Sequence, residues 1–257
     1  MEHIARLLAR EGLVDADPES LLRLQADPRP LITGESRSIY RRSLRLREQV
    51  LYFIGSDGKD KHLYMASTRP LPSLFTGRSA AIGGLRLLEA DFSTENARVL
   101  HEVFPFTAPV SLRQRTTTIG CGDRLGLATP GHIRALAPFD ASPVLAQQSV
   151  RELTLTHRDF AGVVRDASFL VFQEGFEDGY GADGDHLKNL PDIDTALDAG
   201  MPMITLDLTE VMVPGPAEWS ASRIDAGFQA LDASTRSHVD GTYAGKHFEL
   251  PGSRISF

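Results

Sequence analysis

Cysteine is almost absent from this chain of 257 residues, where Cys121 stands alone. A single thiol excludes an intramolecular disulfide framework and any cysteine-based zinc ribbon. No apolar run reaches about 18 residues, which leaves out a membrane-spanning helix. Positive charge is in the minority, with 27 Lys and Arg against 34 Asp and Glu for a formal charge of −7. Binding to nucleic acid through charge alone is therefore disfavoured. The first dozen residues carry Glu2, Arg6 and Arg10 where a secretory leader needs an apolar stretch. No signal peptide is expected, and the expected compartment is the cytoplasm. What the chain does have is apolar material, 42% of its residues against 24% charged. That is ample for a folded core and too much for global disorder.

Two textures follow one another. Residues 1–110 read as a small α+β region. Ile4, Leu7 and Leu8 give one apolar face to a helix over Glu2–Arg10, closed by Gly12. Asp17 opens a second helix over Pro18–Gln25, and Pro28 and Pro30 end helical structure. From Ser38 to Ala66 the pattern turns to strands, with Val50–Ile54 and His62–Met65 flanking a hairpin turn at Asp57-Gly58. Five arginines between Arg37 and Arg47 interleave with Ile39, Leu44 and Leu46, as on the wet face of an antiparallel strand. Phe92–Leu100 reads as a helix capped by Ser93 or Thr94.

After Pro109 four short apolar runs alternate with helical stretches: Thr116–Gly120, Val144–Gln148, Phe169–Gln173 and Met203–Leu208. Alternation of this kind predicts βα units on a parallel sheet. Right-handed crossovers then bring the loops after each strand to one edge. Polar residues follow each run, and in a (β/α) barrel those positions build the active site. The clusters are Gly122-Asp123-Arg124, Gln147-Gln148-Ser149, Glu174 with the Gly-rich stretch Gly179–Lys188, and Asp207 with Glu210. Their convergence predicts an enzyme.

Asp185-His186 is the sharpest element, since imidazole and carboxylate bind divalent cations and a neighbouring acid can move a proton. The bland reading of Gly179–Gly184 is a solvated loop rich in turn formers. Asp207 ends an apolar strand as a metal ligand, an acid/base group or a helix cap. Asp123 and Arg124, in a Gly-rich turn, can hold a carboxylate or phosphate. The spacing of Gly120, Gly122 and Gly126 is one residue too long for a dinucleotide fingerprint. Gln147 and Gln148 can both bind sugar hydroxyls, but only one of two strand neighbours faces the interior. Glu174 is an acid/base candidate at a strand end, whereas Cys121 reads as a small buried residue and His238 and Asp240 as turn or cap residues.

Several long stretches carry a resemblance. Gly122–Ala135, the segment Ala146-Gln147-Gln148-Ser149 with Arg151-Glu152-Leu153, the run Gly181–Lys188 and Thr107–Leu112 resemble the tagaturonate epimerases, also called tagaturonate/fructuronate epimerases. The resemblance is firmest from Asn96 to Glu210. It implies a divalent-metal-dependent, TIM-type (β/α) barrel isomerase of hexuronate catabolism that interconverts tagaturonate and fructuronate. Carried over by position, Asp185 is the implied proton acceptor and His186 a metal ligand. Asp207 and Glu174 remain further acid/base candidates, and Asp123, Arg124, Gln148 and Lys188 substrate-binding ones. The inverted carbon is not directly α to the keto group, so a single enolate step does not suffice. Retro-aldol cleavage with re-addition on the other face has to be considered, or another route in which developing oxyanion charge is stabilised.

The family's chains continue well past Phe257. Residues 111–257 are read as the N-terminal part of the barrel domain, with four βα strands, or five if Phe248–Phe257 contributes. A closed barrel of this class has eight. A truncated or split product is expected, or a homo-oligomer or partner chain that supplies the other half. The alternatives in function are a related metal-dependent sugar-acid aldolase or isomerase, and a catalytically inactive fragment.

Overall fold

The structure, a computed structural model, describes residues 1–32, 37–250 and 252–256. Its first helix, α1 (Glu2–Arg10), buries Ile4, Ala5, Leu7 and Leu8 on one face, as the spacing predicts. In α2 (Pro18–Gln25) the Asp17 carboxylate accepts the Ser20 N–H at 2.9 Å and proline occupies the first turn, where no N–H is missed. The strands β1 (Leu31–Ile32), β2 (Ser38–Ile39), β3 (Arg45–Arg47), β4 (Val50–Ser56), β5 (Lys61–Ser67), β6 (Arg78–Ile82) and β7 (Leu85–Ala90) form one antiparallel sheet. The predicted hairpin is β4–β5, pairing Leu51 with Ala66 through Ser56 with Lys61. The Asp57 carboxylate accepts the N–H groups of Lys59 and Asp60 at 2.9 and 2.8 Å and so closes its turn. The hairpin β6–β7 is additional, and its signal is plain in retrospect. Gly83 and Gly84 both have positive φ, 58° and 85°, as a two-residue turn between strands requires.

The arginines between Arg37 and Arg47 are a correction. Tyr40 leads into a 3₁₀ turn at Arg41–Ser43, not a strand, and the turn aims its cations inward. Arg41 pairs with Asp27, Arg42 with Glu174 at 3.4 Å and Arg45 with Glu177 at 2.9 Å. These three tie segments of the fold together instead of forming a solvated face.

One face of this sheet packs on α1 and α2. The other meets α3 (Thr94–Val103), whose Ser93 cap accepts the Asn96 N–H at 3.1 Å, and two phenylalanines from α6 (Phe160–Glu174). At residue 110 the sheet type changes. The strands β8 (Thr118–Gly120), β9 (Ser142–Ser149), β10 (Gly181–Leu187) and β11 (Met203–Leu206) lie in sequential order, all parallel. The connections run through α4 (Thr129–Leu136), through α5 (Val150–Thr156) with α6, and through α7 (Leu190–Asp198). The chain is thus a mixed α/β protein with a four-stranded parallel sheet.

Two readings of this region are overturned. Phe169–Gln173 is not a strand but the second half of α6. Phe169 and Phe172 enter the core beneath the antiparallel sheet, while Val163, Val164, Ala167 and Val171 enter the core beneath the parallel one. A helix buried on both sides loses its polar stripe, and a short apolar run then carries no period that separates it from a strand. The strand at this place is Gly181–Leu187, part of the stretch expected as a loop after the third run. Its glycines answer to packing, not to turning. A Cβ on Gly184 would lie 2.9 Å from the Ala196 Cβ of α7, and one on Gly181 would lie 2.9 Å from Leu112 Cδ1.

The chain divides into two compact units, Met1–Asp207 and Leu208–Phe257. The second contains α8 (Ala221–Ala230), α9 (Ala233–Thr242) and an antiparallel hairpin of β12 (His247–Leu250) and β13 (Ser253–Ser256). The segment considered as a fifth parallel strand is therefore a hairpin, and Phe257 lies outside the described residues. His238 and Asp240 sit on α9, which Asp232 caps. Among the described residues, no helix is long and apolar enough to cross a membrane.

Candidate active site

At the C-terminal ends of the parallel strands the backbone departs from regular pairing. The register of β10 against β11 shifts between Gly184 and Leu187, and within the shift His186 adopts φ of 55°. A left-handed residue other than glycine, set in a bulge, re-aims the side chains around it. Here it sets the imidazole between two carboxylates. Nδ1 lies 3.7 Å from Asp207 Oδ2 and Nε2 lies 3.8 Å from Asp185 Oδ1. Lys188 Nζ approaches the same Asp207 oxygen at 3.8 Å. Asp207 directly follows β11 and is held there by its N–H, which donates to Leu187 O at 2.9 Å. Four predicted site residues, Asp185, His186, Lys188 and Asp207, thus meet at one strand edge. The His186 side chain is 63% exposed and that of Asp207 14%, so the imidazole faces outward over a largely covered acid. Burial pushes the Asp185 carboxyl up, with Asp183 and Glu152 adding to the effect and His186 opposing it.

Beneath this rim lies a row of which sequence reasoning named only Gln147. Asp183 is fully buried, and its Oδ2 accepts from Gln147 Nε2 at 3.1 Å and from Thr205 Oγ1 at 2.8 Å. Gln147, not Gln148, therefore shares a face with Asp183. Gln148 pairs in register with Gly184, which packs on α7, so it points into the helical layer. Its amide is buried with neither atom hydrogen bonded among the described residues. The favoured member of the pair was the wrong one, because a register shift between Gly181 and Ala182 changes which residues of β9 face inward. Had Gly181–Leu187 been read as a strand, alternation alone would have put Asp183 and Asp185 on one face.

The remaining candidates are engaged elsewhere. The Asp123 carboxylate accepts backbone N–H groups from Leu125, Leu127, Ala128 and Thr129 at 2.6–3.3 Å and shapes the turn before α4. Both oxygens are spent on the loop, so the structure does not present Asp123 to a substrate. Arg124 pairs with Glu152 and is 67% exposed. Glu152 in turn closes a capping box with Ser149 at the start of α5. Burial pushes the Glu152 carboxyl up, but the Ser149 N–H and the Arg124 guanidinium outweigh it and hold it below its ordinary value. Cys121 is buried, and burial pushes its thiol up.

Glu174 is the clearest displacement. It ends helix α6, and β10 starts only afterwards, so it lies at the opposite end of the strands from Asp185 and Asp207. Its side chain is 1% exposed and accepts from Arg134 Nε and Nη2 at 2.9 and 2.7 Å. A cavity of about 660 Å³ opens at that same end, lined by Arg42, Arg45, Arg115, Glu174 and Pro143 among others.

Among the described residues no three His, Cys, Asp or Glu side chains are placed to hold a divalent cation. Asp185 and Asp207 approach different nitrogens of His186, so a cation on either nitrogen meets one carboxylate. The chemistry of the donors suits a cation, but their arrangement does not make a site by itself.

A family model described as tagaturonate epimerase (UxaE) matches residues 40–257. The chain belongs to the tagaturonate epimerase family. A curated relative, the tagaturonate/fructuronate epimerase of Thermotoga maritima, is 32% identical over 224 residues, covering 87% of this chain and 46% of the relative. The native crystal structure of fructuronate-tagaturonate epimerase UxaE from Cohnella laeviribosi superposes with a TM-score of 0.65 at 36% identity. That match takes in 93% of this chain and 46% of the other. The glycerol complex of the same enzyme gives 0.65 at 38% identity, over 85% of this chain and 44% of that one. The chain spans about half the length of the family members it matches.

Proposed function

We propose that this chain is an epimerase acting on D-tagaturonate and D-fructuronate in the cytoplasm, with its four parallel strands forming part of a TIM-type barrel. One observation carries the reading. In a chain of this family, Asp185, His186, Lys188 and Asp207 gather where strands end, which is where barrels place their chemistry. The inverted carbon is β to the ketone. A base at its hydroxyl starts cleavage of the bond to the α carbon, whose electrons pass into an enediolate, leaving an aldehyde. Rotation of the aldehyde and re-addition return the other epimer with the same atoms. Asp185 is the proposed proton acceptor and returns that proton to the new hydroxyl on re-addition, and Lys188 and Arg124 are the cations proposed to meet the substrate carboxylate and the developing oxyanion. Asp207 holds His186 and Lys188 in place. Glu174 has no part in this reading.

His186 is proposed as the ligand this chain supplies to a divalent cation, the others coming from outside it, and no step above is routed through that cation. A second copy or a partner chain is likewise proposed to complete the barrel. The half-length match favours a second reading, in which the chain binds substrate without turning it over.

The test is conversion of D-fructuronate to D-tagaturonate, followed by NMR with divalent cation present. Asp185→Asn and His186→Ala are expected to lower the rate by about 100-fold or more with the fold intact. Binding without conversion supports the second reading, and conversion of a different keto acid in its place overturns the first.

A further inference from the structure

The row beneath the rim crosses all four parallel strands. Gly120 lies on β8, Gln147 on β9, Asp183 on β10 and Thr205 on β11. Gly120 belongs to it by lacking a side chain, because a Cβ there would lie 2.2 Å from Gln147 Oε1. The Gln147 amide thus stretches between Gly120 and Asp183, its nitrogen toward the acid and its oxygen over the glycine. Thr205 gives its single hydroxyl proton to the same carboxylate oxygen. With Oδ2 as their shared acceptor, the sense of both neighbours is fixed. Each turns a donor to Asp183, which leaves Thr205 its oxygen lone pairs and Gln147 its oxygen and a second N–H for whatever lies above. Gln147 and Thr205 are half-buried, whereas Asp183 is wholly covered.

We propose that Asp183 is a positioning residue, which holds Gln147 and Thr205 as a hydrogen-bonding floor that recognises the hydroxyl groups of a sugar acid and so decides which end of it meets Lys188 and Arg124. Lone pairs attract hydroxyl hydrogens and repel a carboxylate. The hydroxylated middle of the substrate then lies on the floor, and its carboxylate goes to Lys188 and Arg124. The inference rests on the epimerase reading and adds the orientation in which the substrate binds.

The experiment is isothermal titration of the 257-residue chain with D-fructuronate and, separately, with D-fructose, which keeps the hydroxyls and lacks the carboxylate. Asp183→Ala frees both neighbours and is expected to weaken both ligands by about tenfold, the effect of one or two neutral hydrogen bonds. Asp183→Asn keeps an acceptor at the Oδ2 position and is expected to restore both affinities to within about threefold of wild type. Should Asp183→Ala fail to fold, Gly120→Ala, whose new Cβ displaces the Gln147 amide, and Thr205→Val must show the loss. Unchanged affinities in a folded Asp183→Ala overturn the inference alone. So does a loss confined to D-fructuronate, or an Asn variant no better than Ala. A wild-type chain that binds neither ligand overturns the inference and the epimerase reading together.

Discussion

Glu174 accepts two short hydrogen bonds from Arg134 and faces Arg42 at 3.4 Å, with its side chain 1% exposed. Asp207 faces His186 and Lys188 at 3.7 and 3.8 Å, beside an imidazole open to solvent. Each follows an apolar run in the sequence, and the two cannot be told apart there. The distinction comes from whether the run is helix or strand, because that decides the end of the sheet its last residue reaches. For Glu174→Gln, one partner of a buried ion cluster loses its charge, and a loss of about 3 kcal/mol is expected in urea unfolding. D-fructuronate affinity should stay within about twofold of wild type where the variant is folded. A stable variant with lost affinity would return Glu174 to the site. Asp207 stood out because a carboxylate is costly at the end of an apolar strand, and His186 because an imidazole beside a carboxylate suits a divalent cation. Asp183 did not, since its place in a strand was hidden by the glycines around it.

Those glycines belong to the scale of the element. On the bland reading Gly181 and Gly184 are turn formers, yet they allow Leu112 on one side and α7 on the other to close on β10. Gly184→Ala would set a methyl 2.9 Å from both the Ala196 Cβ and Leu187 Cδ1. Overpacking of this kind is expected to cost about 1–3 kcal/mol, measured by denaturant midpoint at constant slope. A neutral effect would show that the helix–sheet contact has room. Elements with a single buried face, such as α1 and α2, were legible to the residue from their amphipathic period, joined in α2 by the Asp17 cap. Helix α6 was not, because it serves two cores and carries no polar stripe. The hairpin β6–β7 went unread although its Gly83-Gly84 turn is a direct signal.

For the whole molecule, alternation of strand and helix was enough to give a parallel sheet in sequential order, even with one strand misplaced. What alternation could not give is register, and register decides that Gln147 and not Gln148 joins Asp183. The sheet has two ends with different contents. One carries Asp185, His186, Lys188 and Asp207 above the row of Gln147, Asp183 and Thr205. The other carries the Glu174 cluster and the cavity of about 660 Å³. A keto-uronate is expected to bind at the first. Titration of the isotopically labelled chain with D-fructuronate, followed by backbone amide NMR, decides between the two ends. The account predicts shifts centred on Gly120, Gln147, residues 183–188 and 205–207. Shifts centred on Arg42, Arg45, Arg115 and Glu174, or none at all at millimolar ligand, would contradict it.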